Sequence, residues 1–290
     1  MKISIISTVK NEGKTINKLL KSLSNQSVYP SEFIFVNDSS KDDTKIKIQR
    51  YKKKLRNLKI IDVSTSSISC NRNIGVKNSK GDWIISIDGG CYIGKDYVKD
   101  LISCFNKNPD KILFGALTRI PYKSSFEHCY SILIERKLTK GYLPKGHALF
   151  FKKELWENLK GFNEKLKTAE DTDFVIRAKN KGYPLVICGK AVVFWKPRGN
   201  LKEVFSQFYR YGMGDRNAFG IKNLPLKSKL NLIITLLFPL SLVHALMISF
   251  KNLYKLKSIF SLGTIFLIDL TKIFSYSIGV LSSKLINKNL

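Results

Sequence analysis

Short apolar runs alternate with amphipathic segments along the first part of the chain. The runs are rich in β-branched residues and predict strands over 2–8, 32–37 and 58–63, with a fourth that ends at Asp88. Between the first two, apolar residues over 16–23 follow helical spacing. Strands that alternate with helices in this way predict a parallel sheet covered on both faces.

Strands and helices are also predicted between residues 112 and 211. Further strands are predicted over 112–119, 146–152 and 183–193. A helix over 168–180 has acidic residues in its first turn, where the helix dipole favours them, and another follows over 201–211. The fold class predicted from this pattern is α/β, with a mostly parallel, Rossmann-like sheet and additional apolar helices at the C-terminus.

The composition changes after residue 222. Residues 231–250 contain no Asp, Glu, Lys or Arg, and 258–283 form a second apolar stretch that only Asp269 and Lys272 interrupt. Each stretch is long enough to cross a bilayer. Because Asp269 and Lys272 are three residues apart, a helix would pair them on one face. Region 223–290 is therefore predicted to associate with a membrane.

Lysines flank both apolar stretches, and their placement bears on the mode of attachment. They are Lys222, Lys227 and Lys229 before the first stretch, Lys251, Lys255 and Lys257 between the two, and Lys284 and Lys288 after the second. A two-span hairpin would put the middle lysines on the far side, against the positive-inside tendency. Helices lying in the headgroup region avoid that conflict. Spanning, interfacial attachment and a buried helical hairpin of a soluble domain all remain open at this point.

The 290-residue chain has a formal net charge of +28, spread along its length. Such a charge suits anionic partners such as nucleotides, phospholipid headgroups or nucleic acid, although a lysine-rich solvated surface gives the same balance. The five cysteines show no CxxC pair, which predicts reduced thiols and a cytosolic setting. The apolar run at the N-terminus is too short for a signal peptide.

Acidic residues follow two of the predicted strands. Asp38 comes directly after the second strand, and Asp88 ends the fourth and precedes Gly89 and Gly90. In a parallel sheet both would lie at the same edge, where one cleft would hold a nucleotide diphosphate. Asp88 would hold a divalent metal against phosphate. The alternatives are an ordinary Asp-Gly turn at Asp88 and a helix cap at Asp38.

A nucleotide-sugar reaction has three requirements that these residues would meet. The charge of the diphosphate leaving group must be neutralised, for which Asp88 is suited through a metal. The acceptor hydroxyl needs a carboxylate that takes its proton, for which Asp171 is suited. The acceptor must also be held in line with the departing bond. Arg72 would pair with phosphate or with Asp88, unless it is simply solvated.

As an ordered set, five segments resemble the family-2 glycosyltransferases with the GT-A fold. They are Ser4 to Glu12, Phe35 to Thr44, Arg72 to Gly75, Asp88 to Cys91 and Glu170 to Phe174. The resemblance covers roughly residues 2–220. It implies transfer of a sugar from a nucleotide donor, with inversion at the anomeric carbon.

On the donor side, the resemblance assigns a role to each of five residues. Thr8 and Glu12 would line the nucleotide site, Asp38 would meet the base, and Arg72 would lie near the base and the phosphates. Asp88 would be the first Asp of the family's Asp-x-Asp motif for Mg²⁺ or Mn²⁺. On the acceptor side, Asp171 would be the catalytic base.

Two further residues, Glu170 and His147, are placed on the acceptor side by the same resemblance. His147 is equally well explained as a packed strand residue.

The chain also departs from the family pattern. Gly90 stands where the motif has its second Asp, so one carboxylate ligand is missing; a subset of the family has a similar Asp-Gly-Gly-Cys sequence. Asn37 replaces the first of two acidic residues, which leaves the base contact to Asp38. The Gln-x-x-Arg-Trp motif of processive synthases is echoed only over 207–211. Residues 212–215 resemble a Gly-Arg-Gly-Asp segment of the same subset, which would grip the diphosphate or the acceptor; the alternative is a helix end with a glycine cap.

The sequence thus predicts a membrane-associated inverting glycosyltransferase at the cytoplasmic face. Residues 1–115 would bind the nucleotide sugar, 116–222 the acceptor within the same GT-A domain, and 223–290 the membrane. The acceptor would be membrane-bound or lipid-linked, and no nucleic acid partner is expected. A nucleotidyltransferase on a similar sheet and a non-catalytic basic binding module are the alternatives.

Overall fold

The computed structural model describes residues 1–65, 67–135, 143–166, 168–220, 226–256 and 260–286. The chain forms two compact units: an α/β unit of residues 1–119 and 136–196, and a helical unit of residues 120–135 and 197–290. The division of the chain at 115 and 222 into donor, acceptor and membrane regions is a functional one, and it stays a prediction. Of the flanking lysines, Lys222, Lys257 and Lys288 lie outside the described residues.

Within the described residues, the α/β unit contains one eight-stranded sheet. Its strands are β1 (Ile3–Val9), β2 (Glu32–Asp38), β3 (Leu58–Val63), β4 (Trp83–Asp88), β5 (Cys91–Ile93), β6 (Leu113–Arg119), β7 (Leu149–Lys152) and β8 (Leu185–Trp195), in the order β3-β2-β1-β4-β7-β6-β8-β5. The pairs among β3, β2, β1 and β4 are parallel, as predicted, and β6 pairs β8 in parallel. The other pairs, β4–β7, β6–β7 and β5–β8, are antiparallel. The sheet is therefore mixed beyond β4.

Helices surround this sheet and make up the second unit. In the α/β unit they are α1 (Ile16–Ser24), α2 (Thr44–Arg50), α3 (Ile68–Lys77), α4 (Tyr97–Asn106), α6 (Lys153–Asn158) and α7 (Glu170–Asn180). In the helical unit they are α5 (Ser125–Ile134), α8 (Leu201–Phe219), α9 (Leu226–Leu236), α10 (Phe238–Lys251) and α11 (Phe260–Ile286).

The sheet has an apolar layer on each face because its strands are buried on both sides. Ile5 and Ile85 pack with the apolar residues of α1, α2 and α4. Ile6 and Ile84, their neighbours in the sequence, point to the other face and pack with α3, α6 and α7. This alternation decides where the strand ends point. Thr8 and Asp88 each lie an even number of residues from Ile6 and Ile84, and so they project on the α3 and α7 face.

Cys104 on α4 and Cys188 on β8 form a disulfide, with 5.6 Å between their Cα atoms. The prediction of reduced thiols is therefore wrong for these two residues. Because they are 84 residues apart, no local spacing pattern identified the pair. Cys70, Cys91 and Cys129 are free thiols. Because two of the five cysteines form a disulfide, the cysteines no longer support the prediction of a cytosolic setting.

In the helical unit, α8 and α11 cross in close contact through two glycines. A Cβ added to Gly212 would lie 2.0 Å from the carbonyl oxygen of Tyr276, and one added to Gly279 would lie 2.1 Å from that of Tyr209. The Tyr276 hydroxyl donates to the Asp215 carboxylate at 2.6 Å. The helix thus continues through Gly212 rather than ending there, so the glycine-cap interpretation of 212–215 is wrong.

The predicted apolar stretch 231–250 is divided between two helices. α9 and α10 meet at Leu237, and Pro239 lies in the first turn of α10. With 11 and 14 residues, each is shorter than a bilayer core requires. Within the described residues, only Phe260–Ser282 of α11 is long and apolar enough to cross a membrane, and half of it is buried inside the structure. A two-span hairpin over the two predicted stretches is therefore not formed.

The predicted pairing of Asp269 with Lys272 is confirmed. The Asp269 carboxylate is fully buried; one of its oxygens accepts from Lys272, and the other lies 3.1 Å from Nδ1 of His244 on α10. Buried serines lie on the same helices, including Ser249, Ser261, Ser275 and Ser277. The interior of the helical unit thus contains charged and polar side chains.

Candidate active site

The ends of β1, β2 and β4 bring Thr8, Asp38 and Asp88 to one edge of the sheet. Thr8 is in register with both Val36 and Asp88, and its hydroxyl donates weakly to the Asp88 carboxylate at 3.4 Å. The Asp38 side chain is buried and pairs with Lys10 at 3.3 Å. Asp38 does not cap α2; the Asp42 carboxylate instead accepts from the backbone N–H of Thr44.

Arg72, on α3, links two of the candidate carboxylates. Its guanidinium donates to Asp88 Oδ1 at 2.8 Å and also pairs with Glu170 on α7. The Arg72 side chain is only 2% exposed, so it is not a solvated arginine. Gly146 packs directly on it, and a Cβ at that position would lie 2.5 Å from the guanidinium. Arg72 therefore fixes the distance between β4 and the start of α7.

Asp171, the candidate base, follows Glu170 in the first turn of α7. The backbone N–H of Gly146 donates to Asp171 Oδ2 at 2.6 Å, and the N–H of Thr172 donates to Oδ1 at 2.7 Å. Asp171 is only partly buried, whereas Glu170 is 4% exposed. The adjacent carboxylates are therefore in different environments: Glu170 points into the protein toward Arg72, and Asp171 is partly exposed.

His147 adds a further contact to Asp88. Its Nδ1 lies 3.6 Å from Asp88 Oδ2, and its Nε2 lies 3.2 Å from the Thr118 hydroxyl. The ring is buried, with its centroid 5.8 Å from that of Trp195. His147 is thus packed, as one interpretation of the sequence held, and it also faces a candidate site carboxylate.

The network separates the pKa values of the Asp88 and Glu170 carboxyls. Burial alone would raise the pKa of Asp88, but the Arg72 guanidinium and His147 hold it well below its usual range. For Glu170, burial raises the pKa to about 7; Asp171 adds to this rise, and Arg72 opposes it. Because Arg72 is shared with Asp88, it stabilises the charged form of Glu170 less than an exclusive partner would.

Three residues in the left-handed region lie next to candidate site residues. Asn11 (φ 54°) precedes Glu12, Ser39 (φ 49°) follows Asp38, and Ala169 (φ 64°) precedes Glu170. For a residue with a Cβ this conformation is strained by roughly 1 kcal/mol. Asn11 is held there because its side-chain oxygen accepts from the N–H of Lys41 at 2.8 Å. The chain therefore turns sharply beside each of these carboxylates.

Glu12 lies beside the glycine that replaces the second motif aspartate. A Cβ built on Gly90 would lie 3.4 Å and 3.5 Å from the two Glu12 carboxylate oxygens. The thiol of Cys91, the next residue, is buried and has a raised pKa, to which the charges of Asp88 and Glu12 contribute after burial. Both carboxylates are therefore close to the Gly-Gly segment.

This donor set fits a divalent cation of the type that phosphate-handling sites use. Within the described residues, no group of three or more His, Cys, Asp or Glu side chains is arranged so that it could hold a metal ion by itself. Mg²⁺ and related hard cations instead take one or two carboxylates and complete their coordination with substrate phosphates and water. Asp88 retains acceptor positions for this role, since a carboxylate has about four.

Sequence reasoning missed several residues at this edge. Lys10 pairs with Asp38, and Lys145 lies 3.8 Å above the ring of Trp195. The backbone N–H of Gly146, which holds Asp171, was also missed. A lysine directly before the Asn-Glu pair was the available signal for Lys10. The others come together only through tertiary contacts.

The segment from Gln207 to Asp215 belongs to the helical unit. The Gln207 side chain is buried, accepts from the Tyr130 hydroxyl at 2.7 Å and donates to the Tyr211 hydroxyl at 3.0 Å. Asp215 accepts from Tyr276. These contacts give the segment a packing role within its own unit, and a grip on diphosphate or acceptor stays a prediction.

The sequence matches the model of the glycosyl transferase family 2 over residues 4–166, and the chain therefore belongs to that family. It is 30% identical over 189 residues to the poly(ribitol-phosphate) beta-N-acetylglucosaminyltransferase TarS of Staphylococcus aureus (strain Mu50 / ATCC 700699). The match covers 61% of this chain but 32% of TarS, so this chain spans about a third of that relative's length.

Solved structures show the same fold. The mannosyltransferase PcManGT from Pyrobaculum calidifontis, in complex with GDP-Man and Mn²⁺, superposes with a TM-score of 0.65 at 14% identity, covering 98% of this chain and 87% of that one. S. aureus TarS 1-349 in complex with UDP-GlcNAc gives 0.56 at 16% identity, covering 98% and 92%. The GT-A type α/β fold predicted from the sequence is thus confirmed.

Proposed function

We propose that this protein is an inverting glycosyltransferase that moves a sugar from a nucleotide-diphosphate donor to an acceptor hydroxyl. Asp171 takes the proton of the acceptor hydroxyl, whose oxygen attacks the anomeric carbon. The bond from that carbon to the phosphate oxygen breaks, and the nucleoside diphosphate leaves with the electron pair. A single displacement of this kind inverts the anomeric centre.

The observation that carries this proposal is the linked set Asp88, Arg72, Glu170 and Asp171 at the edge where Asp38 and Thr8 also lie. In this proposal Asp38 and Thr8 meet the nucleoside and Asp88 meets the diphosphate, because ligands of such sheets bind at the carboxyl ends of the strands. Arg72 is buried and paired twice, so its role is to position these carboxylates rather than to grip phosphate directly. The accessible Asp171 is the member of the set that an acceptor hydroxyl can approach.

A divalent cation, Mg²⁺ or Mn²⁺, would be held at Asp88. When bound, it neutralises the negative charge that develops on the leaving diphosphate. The solved structures compared above contain a uridine donor, UDP-GlcNAc, and a guanosine donor, GDP-Man, so donors of both bases are tested on this chain.

Donor hydrolysis by the full chain tests the proposal without knowledge of the acceptor. Purified protein is incubated with UDP- and GDP-sugars and Mn²⁺, and the released nucleotide is identified. Release of a nucleoside diphosphate supports sugar transfer, and release of pyrophosphate would instead indicate a nucleotidyltransferase. We expect Asp171→Asn to lower the rate by about 10²- to 10⁴-fold, since it removes a general base, while donor binding is retained.

Asp173→Asn is the matched control, because Asp173 lies in the same turn of α7 but pairs with Arg177 at 2.7 Å. It should hydrolyse donor at nearly the wild-type rate. Equal rates for Asp171→Asn and the wild type would remove Asp171 as the base. Absence of any donor binding or turnover would favour a non-catalytic module.

The acceptor is proposed to be membrane-bound or lipid-linked, because the helical unit exposes apolar side chains. On α9 and α10 they recur at helical spacing along one side of each helix. These residues are Leu226, Leu230 and Ile233 on α9, and Leu240, Val243, Leu246, Met247 and Phe250 on α10. Leu253, Tyr254 and Phe260 extend the apolar surface toward α11. An exposed surface of this kind marks a membrane or protein contact.

We favour interfacial attachment over spanning. The C-terminal half of α11 packs against α8 through the glycine crossing, and α8 exposes Lys202, Glu203 and Arg210 to solvent. A helix with these charges would not lie in the hydrocarbon core beside α11. Lys251, the last residue of α10, and Lys255, in the turn that follows it, suit the anionic headgroups of the cytoplasmic leaflet.

Sedimentation of the full chain with vesicles containing anionic lipid tests this attachment. Met247→Glu with Phe250→Glu places two charges on the exposed side of α10, and we expect at least a tenfold loss of vesicle binding, about 1.4 kcal/mol or more. Ile46→Glu is the control, because Ile46 is 52% exposed on α2 of the other unit. Unchanged binding of the α10 variant would refute attachment through this surface.

A further inference from the structure

We infer that Glu12 supplies the second carboxylate of the divalent-cation site, in place of the aspartate that is absent at position 90. The inference rests on the proposed function, in which Asp88 holds the cation. In this arrangement, the loop between β1 and α1 supplies the metal ligand that the motif at the end of β4 lacks.

The space around Gly90 is the first observation. With no side chain at that position, the segment after Asp88 is open toward Glu12, whose carboxylate oxygens lie 3.4 Å and 3.5 Å from the point where a Cβ would begin. The neighbouring glycine differs, since a Cβ on Gly89 would lie 2.7 Å from Val9 Cγ1. Position 90 would therefore accept a side chain, and the Glu12 carboxylate lies directly beside it.

The second observation is that Glu12 is held in place. Its backbone N–H donates to the Thr44 hydroxyl at 2.7 Å, and its carbonyl accepts from the N–H groups of Thr15 and Ile16 at 2.8 Å. The Thr15 hydroxyl donates to one of the carboxylate oxygens. A ligand with a fixed backbone and an oriented carboxylate loses little entropy when it binds a cation.

The chemistry of the pair completes the argument. Arg72 takes up part of the negative charge of Asp88, so Asp88 alone would be a weak site for a doubly charged ion. A second carboxylate from Glu12 restores the charge that a hard cation requires, and the donor diphosphate and water provide the remaining oxygens.

A carboxylate exchange between positions 12 and 90 tests the inference. Mn²⁺ binding to the full chain is measured by the loss of the free Mn²⁺ electron paramagnetic resonance signal, with metal alone and with added UDP or GDP. We expect Glu12→Gln to weaken Mn²⁺ binding by at least about tenfold. Adding Gly90→Asp to this variant should restore binding to within about threefold of the wild type, because the Asp supplies the missing carboxylate from the other side.

Glu154→Gln is the matched control, because Glu154 is exposed and its carboxylate pairs with Lys152, two residues away, at 2.7 Å. This variant should bind Mn²⁺ like the wild type. Circular dichroism checks that each variant is folded. Should Glu12→Gln fail to fold, Glu12→Asp, which retracts the carboxylate by one methylene, gives the same test with an intermediate loss.

Wild-type Mn²⁺ affinity in Glu12→Gln would overturn the inference. The inference would also be overturned if Glu12→Gln lost as much nucleotide affinity in EDTA as in Mn²⁺. That result would mean that Glu12 binds the nucleoside directly. If the wild type binds no Mn²⁺ but still hydrolyses donor, the inference fails and the proposed function stands. If the variants bind Mn²⁺ as expected but the wild type turns over no donor, the inference stands and the proposed function fails.

Discussion

The two units of this protein distribute polar and apolar side chains in opposite ways. In the α/β unit the interior consists of two apolar layers, and the large hydrophobic residues that it exposes within its described part are Met1, Tyr29 and Ile46. The helical unit buries Asp269 and several serines and exposes leucines and phenylalanines along α9, α10 and α11. The first pattern is that of a protein folded in water, and the second is expected where one side of a structure meets lipid.

The comparison also separates two uses of a buried charge. In the α/β unit, Arg72 joins carboxylates that are at the candidate site, where burial raises the pKa of Glu170 while Arg72 and His147 hold the pKa of Asp88 low. In the helical unit, Asp269 is joined to Lys272 and His244 in the middle of α11, where it holds α10 and α11 together. A buried ion pair thus indicates a site only when accessible chemical groups lie next to it.

The largest effect is expected from Arg72→Met, which leaves two carboxylates without their cation. Breaking a buried pair in this way costs about 3–5 kcal/mol. All three tryptophans, Trp83, Trp156 and Trp195, belong to the α/β unit, so denaturation followed by tryptophan fluorescence reports that unit selectively. Lys45→Met breaks an exposed pair with Asp62 and should cost at most about 1 kcal/mol. Similar losses for both variants would show that Arg72 is not the structural link described above.

The second prediction uses the raised pKa of Glu170. A carboxyl with a pKa of about 7 in the folded protein and an ordinary one when unfolded contributes stability below the unfolded pKa, and this is lost as pH rises through 7. Relative to Glu170→Gln, the wild type should therefore lose stability between pH 5 and pH 8, by at most on the order of 3 kcal/mol. Fluorescence-monitored denaturation at both pH values checks this. A relative gain by the wild type would mean that the ion pair with Arg72 outweighs burial.

The smallest of the three effects concerns the helix crossing. Gly212→Ala places a Cβ against the Tyr276 carbonyl, and the required helix shift should destabilise the helical unit by about 1–3 kcal/mol. Gly263→Ala, on α11 with open space around it, should stabilise by up to about 1 kcal/mol. Thermal unfolding followed by far-ultraviolet circular dichroism measures both. The interpretation of a close crossing would be wrong if the two variants shifted the transition in the same direction.

The part of the fold that the sequence predicted is the part that local patterns determine. The strands that end at Asp38 and Asp88 were found because apolar runs with polar ends are local signals, and a shared edge follows from parallel pairing. The antiparallel direction of β7 was not predicted, since its four residues carry no signal of orientation. β5 was missed because three residues after two glycines resemble a turn.

Long-range pairings account for the rest of what was missed. Arg72 and Glu170 are 98 residues apart, and Cys104 and Cys188 are 84 apart, so only the folded chain brings them together. The pattern at 231–250 contains no Asp, Glu, Lys or Arg and indicated one long helix, but a new helix starts at Phe238, with Pro239 in its first turn. Glu12 was predicted from the resemblance, whereas its position beside Gly90 required coordinates.

The left-handed residues beside the carboxylates have a consequence for which sequences this fold can accept. Glycine or asparagine can occupy positions 11, 39 and 169 at little energetic cost, but a valine or isoleucine there would force the backbone out of its turn and displace the neighbouring acid. Saturation mutagenesis should therefore show that valine or isoleucine at position 11, 39 or 169 lowers activity. The loss should be nearly as large as that caused by a neutral residue in place of a neighbouring carboxylate. The residues that the site requires are therefore determined by backbone geometry as well as by side-chain chemistry.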